Sequence, residues 1–174
     1  MRPQPDSDRY EFSHSLISQY VYTDLNPSRR IRLHRQIALE LERCYADQAG
    51  EHAAQIAYHY CKTSSLPGAD RWIAYCLLAA DRAESAAAHS EAAEHLRGAL
   101  QLLSDRKSTP PQVLARLGLA LAWSGHTDEA LRVTLEASTS IADTEGPDAA
   151  SSYLAEAADA IRNASRDART GQLA

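Results

Sequence analysis

Seven histidines, three cysteines and a run of arginines are the residues of this 174-residue chain with chemistry to offer. His52 and His59 stand seven apart, on one face of a helix, with Cys61 nearby. Zinc needs three or four ligands converging at about 2 Å, and adjacent helical turns supply them at spacings of three or four, which this pair lacks. Capping and packing are the expected roles of these histidines. Glu91 and His95 are four apart, a spacing that suits an imidazole oriented for base work and equally a surface pair on a helix. No nucleophile or oxyanion donor accompanies them, so the surface pair is expected. Cys44, Cys61 and Cys76 occur singly, without metal-site spacing or the even count of a disulfide framework, and reduced thiols are expected. The residues therefore predict no catalytic set, no metal site and no cofactor: a chain that works through contacts and is not an enzyme.

Arg29, Arg30, Arg32 and Arg35 form a positive stripe near a helix start, suited to phosphates or to a neighbouring domain. A formal net charge of −5 and a pI near 5.8 give no global reason to bind nucleic acid or an anionic membrane. Docking on protein is the expectation for the stripe, and a DNA-contacting regulator fragment is the alternative. Tyr58, Trp72 and Trp123 are large residues in an alanine-rich chain, placed either to anchor helix pairs or to line a binding groove. Lys62 and Lys107 are the only lysines, too few for a groove that clamps a carboxylate terminus.

The elements that must position these residues are helical. With 44% hydrophobic and 24% charged residues, and only seven glycines and seven prolines, the composition favours long helices over an all-β fold. Residues 1–9 are polar and read as a disordered lead-in, and Arg9–Phe12 as a short extended piece. Ser13 is placed to cap a helix with Leu16, Ile17, Tyr20 and Val21 on one stripe. Asn26-Pro27 ends it and starts a second helix reaching Tyr45, with Ile31, His34, Ile37, Ala38 and Leu41 at intervals of three and four. A third helix follows Gly50, with Ala53, Ile56, Ala57 and Tyr60 inward, and Thr63–Gly68 reads as a loop.

From Ala69 the pattern repeats. Ile73, Leu77, Ala80 and Ala83 line one helix, and Ala92, Leu96, Ala99, Leu100 and Leu103 its partner. The run Leu114-x2-Leu117-Gly118-x2-Leu121-x3-Gly125-x4-Ala130-x6-Ala137 states the tetratricopeptide pattern, with Gly118 and Ala130 expected to face each other across neighbouring rods. Ala92 and Ala99 recur as Ala130 and Ala137 after 38 residues, and Ser104–Pro111 holds the excess over the usual 34. A last helix is expected from about Asp148 to Ser165, with a polar tail over 167–174. The predicted fold is all-α, a right-handed array of antiparallel helix pairs of the tetratricopeptide-like α-solenoid kind. Its parts are a helical junction over 10–66 and helix pairs over 67–166, and the missing partner of the last helix suggests a segment excised from a longer protein. No secretory leader or membrane-length apolar run is present, so a cytoplasmic chain is expected.

One block has a recognisable likeness. Tyr10-Glu11-Phe12-Ser13-His14-Ser15-Leu16-Ile17, Tyr20-Val21-Tyr22 and Leu25 through Ala38 resemble the junction that follows the nucleotide-binding and winged-helix parts of bacterial signal-transducing ATPases, including LuxR-type regulators. Gln55–Tyr60 is similar to the next segment of that family. The likeness covers about residues 10–140. It implies a sensor segment in which a helical array binds an inducer or partner protein and an ATPase elsewhere converts the signal. No G-x-x-x-x-G-K-[ST] phosphate loop occurs in this sequence, so nucleotide chemistry is not expected of it. A stand-alone tetratricopeptide adaptor is a further alternative. Oligomeric state is left open by these residues.

Overall fold

The computed structural model describes residues 2–3, 10–11, 15–63, 72–103 and 109–171. Ser13 and His14, most of the lead-in, residues 64–71 and 104–108, on which most of the two expected loops fall, and the last three residues lie outside these. Arg2–Pro3 pairs antiparallel with Tyr10–Glu11, so the lead-in includes a paired dipeptide. The other regular elements among the described residues are helices, namely α1 (Ser15–Asp24), α2 (Pro27–Cys44), α3 (Ala53–Cys61), α4 (Ile73–Ser85), α5 (His89–Leu103), α6 (Pro111–Trp123), α7 (Thr127–Glu145) and α8 (Pro147–Gly171), with one short 3-10 turn at Ala46–Gln48. Asn26 starts α2 as expected: its side-chain oxygen accepts from the Ser28 N–H at 2.9 Å, with Pro27 in the first turn. α8 runs to Gly171, so residues 167–171, expected in the tail, continue the helix. The good helix formers Ala168 and Arg169 meet no breaker before that glycine.

Two antiparallel hairpins, α4–α5 and α6–α7, are built to one plan. Ala79, Ala80 and Ala83 of α4 and Leu117, Gly118 and Leu121 of α6 occupy matching positions 38 residues apart, and all are buried. Ala92, Leu96 and Ala99 of α5 and Ala130, Thr134 and Ala137 of α7 do likewise. The turns match bond for bond. Ala86 N–H donates to Arg82 O, Ala87 to Glu84 O and Ala88 to Ala83 O; Ser124 donates to Ala120 O, Gly125 to Ala122 O and His126 to Leu121 O. Each helix thus ends in a Schellman cap, which needs a left-handed residue before the chain turns away. Gly125 supplies it at φ 81°, and Ala87 supplies it at φ 54° against the Cβ penalty.

Arginines bridge the hairpins, like helix to like helix. Arg116 of α6 reaches Glu84 and Asp81 of α4 at 2.9 and 2.5 Å, and Arg97 of α5 reaches Glu129 of α7 at 2.6 Å. Around Gly118 the close contact differs from the expected one. A Cβ there would stand 2.5 Å from Tyr153 Oη of α8 and 3.0 Å from Thr134 Oγ1, and Ala130, one turn away on α7, is not among its nearest neighbours. The small residue at 118 therefore admits a side chain from the next helix, α8, whose Tyr153 hydroxyl donates to Ala115 O at 3.3 Å.

Candidate functional site

The polar groups converge on the last turn of α3. Helical periodicity sends Ile56, Ala57 and Tyr60 into the core, where Tyr60 is fully buried and stacked on Trp72 with centroids 4.2 Å apart. Tyr58 and Lys62, four apart, point outward, with the Lys62 ammonium 5.5 Å from the Tyr58 ring centre. His59 and Cys61 leave α3 in two other directions and enter two separate clusters.

On one side, His59 meets α2. His34 Nδ1 and His59 Nδ1 are 3.0 Å apart, and His34 Nε2 is 2.9 Å from the Tyr22 hydroxyl of α1. One imidazole donates and the other accepts, so the contact requires that at least one ring keep a lone pair on Nδ1. Burial holds both histidines below the ordinary imidazole value, and Lys62 and Arg30 add to the effect at His34. The chain here joins three helices through a histidine pair.

On the other side, Cys61 meets α4 and α5. Its Sγ lies 3.5 Å from the Sγ of Cys76, beside a cavity of about 380 Å³ lined by Tyr58, Lys62, His95, Arg97, Gly98 and Gln101. Gly98 leaves space at the sulfurs, since a Cβ on it would stand 2.6 Å from Cys61 Sγ and 3.7 Å from Cys76 Sγ. Either thiol can donate in this contact, which lowers Cys61 from its ordinary value against the opposing effect of burial, while the same contact and burial raise Cys76. Arg97 spends its charge on Glu129 and Glu94, and burial lowers His95 despite Glu91 and Glu94.

The arginine stripe divides by periodicity. Arg30 lies over the Tyr22 ring and Arg35 over the Trp72 ring, each 5.3 Å from the centroid, whereas Arg29 and Arg32 are exposed. Trp72 is 1% exposed, so it belongs to the core and not to a partner-binding surface, with Tyr60 stacked on its ring and the Arg35 guanidinium over it. Tyr58 is exposed, and Trp123 is exposed and stacked on His89 of α5. His52 is stacked on Tyr45, whereas His59 pairs with His34. Among the described residues no group of three or more His, Cys, Asp or Glu is placed to hold a metal ion, and no helix is long and apolar enough to cross a membrane.

The clusters at His34–His59 and Cys61–Cys76 were not legible as pairs, because their members lie 25 and 15 residues apart on different helices. One signal did exist: His34 occupies an apolar-stripe position of α2. The stripe of α1 is a further difference from its spacing. Leu16 and Tyr20 are 75% and 71% exposed, and Ile17 and Val21 about half, so a face with core periodicity lies uncovered. No family model, no curated protein and no solved structure matches this chain.

Proposed function

We propose that this chain is a non-catalytic interaction segment of a larger regulatory ATPase or transcriptional regulator, acting in the cytoplasm. In this reading α1 and the outward arginines Arg29 and Arg32 seat against the nucleotide-binding part of the parent protein. The hairpins α4–α5 and α6–α7 form a right-handed tetratricopeptide-like array that receives a protein partner or inducer. The likeness of residues 10–38 to the ATPase junction supports the first part, and the 38-residue equivalence of the hairpins supports the second.

The observation that carries the proposal is the uncovered stripe of α1. Leu16, Ile17, Tyr20 and Val21 are spaced to bury together, yet remain exposed while the corresponding faces of α3 to α7 are covered. Covering each such side chain is worth roughly 1.5–3 kcal/mol, enough to make this helix a seat for another folded surface. The Tyr22 hydroxyl bonded to His34, with Arg30 over the Tyr22 ring, links α1 to α2.

The reading frame containing residues 1–174 is expected to encode a G-x-x-x-x-G-K-[ST] loop upstream. That upstream part, expressed separately, is expected to co-purify with the tagged chain and to be lost with the Leu16→Asp, Tyr20→Asp double variant. A frame without the loop, or equal recovery with the double variant, overturns the proposal.

A further inference from the structure

We infer that Cys61 is an oxidant-reactive thiol facing the cavity between α3 and α5, and that Cys76 resolves its oxidised form into a disulfide joining α3 to α4. The reactant class is a hydroperoxide. This goes beyond the interaction role proposed above and does not depend on it.

The geometry supplies each part. The two sulfurs are at van der Waals distance, 3.5 Å, and bond formation needs an approach of about 1.5 Å toward the usual 2.05 Å. Their roles are unequal: Cys76 is fully buried, whereas Cys61 is partly exposed and lines a cavity of about 380 Å³, roomy enough for a small peroxide. Gly98 presents no side chain to the sulfurs, and an alanine there would press its Cβ to within 2.6 Å of Cys61 Sγ. Lys62 adjoins Cys61 and favours its thiolate, the nucleophilic form. The contact with Cys61 and burial raise the Cys76 thiol, so of the two sulfurs Cys76 is the one favoured to hold its proton.

The chemistry balances. The Cys61 thiolate attacks the distal peroxide oxygen, forming the sulfenic acid as the O–O bond breaks and an alkoxide or hydroxide leaves. That leaving group takes up the proton Cys61 had released to solvent. Cys76 sulfur then attacks the sulfenic sulfur, the S–S bond forms, and the hydroxyl departs with the Cys76 proton as water. Two thiols are oxidised and one peroxide is reduced to an alcohol, or to water, plus one water.

Cys44 is an internal control, an exposed thiol on the same chain. The full chain is treated with hydrogen peroxide, mapped by mass spectrometry and probed with dimedone. The expected result is a Cys61–Cys76 linked peptide appearing before any modification of Cys44, and a rise in Tm of roughly 6–12 °C from closing a loop of about 15 residues. In Cys76→Ala the reaction is expected to stop at Cys61, with dimedone captured there at least several-fold faster than at Cys44. In Cys61→Ser, Cys76 is expected to stay unmodified. Dimedone capture at Cys61 no faster than at Cys44, or linkage of Cys44 in place of Cys61–Cys76, overturns the inference. Should Cys76→Ala fail to fold, the linkage and its order relative to Cys44 in the unsubstituted chain decide the matter alone.

Discussion

The matched turns of the two hairpins make a reciprocal prediction. Ala87 and Gly125 occupy the same place in the same three-bond cap, both with positive φ. An alanine in the left-handed region costs about 1–2 kcal/mol, and a glycine loses about 0.4–1 kcal/mol more entropy when the chain folds. The difference sets the expected effect: Ala87→Gly stabilises by about 0.5–1 kcal/mol, and Gly125→Ala destabilises by about the same. Steric clash does not confuse the second variant, because nothing lies within 4 Å of where a Cβ on Gly125 would stand. Urea unfolding at 25 °C measures both, with the midpoint moving in opposite directions and the slope unchanged. Each kcal/mol corresponds to about 2–4 °C in Tm for a chain of this size. A variant carrying both changes is expected to return to the starting stability. If Ala87→Gly is neutral or destabilising, or if Gly125→Ala has no effect, the two turns are not equivalent and the repeat reasoning fails.

Three further predictions follow from the packing and the buried histidines. His34, His59 and His95 are all lowered by burial, so well above pH 6.5 neither folded nor unfolded chain binds these protons. As pH falls below that value the unfolded chain takes them up first, so stability falls, and His34→Gln is expected to make the urea midpoint less steep with pH; a midpoint that rises on acidification through this window contradicts the burial account. Gly118→Ala is expected to cost about 1 kcal/mol, overpacking against Tyr153 Oη outweighing the gain in helix propensity. In a Tyr153→Phe background the same change should become neutral or stabilising by thermal melt, and an unchanged cost would locate the clash elsewhere. A double-mutant cycle of Arg97→Gln with Glu129→Gln is expected to give about 0.5–1 kcal/mol of coupling between the hairpins, and zero coupling would show the fork contributes nothing.

Periodicity and turn chemistry made the helices readable. Asn26-Pro27 marked a start, Gly125 a turn, and small residues at Ala80, Ala92, Ala99 and Ala130 marked the close faces, all of them buried here. Local signals could not reveal which helix supplies the neighbour. Gly118 announced a close contact, but that the contact is Tyr153 of α8 depends on how a third helix lies across the hairpin. Ala87 was equally silent, since alanine is the strongest helix former and its left-handed geometry comes from the cap bonds. Trp72 illustrates the opposite error: a large aromatic residue suits a binding groove or a core, and only the positions of Tyr60 and Arg35 decide. The histidine and cysteine pairs needed α3 to be set between α2 and α4, information that no spacing within one helix contains.

The claim that this chain works through contact with another folded surface is tested most directly at α1. A photo-crosslinking residue in place of Tyr20, compared in the same cells with one in place of the exposed Glu136 on α7, reads which face is occupied. The account predicts one dominant adduct from position 20, to a polypeptide region bearing a phosphate loop, and none of that species from position 136. No adduct from position 20, or the same products from both positions, would contradict it.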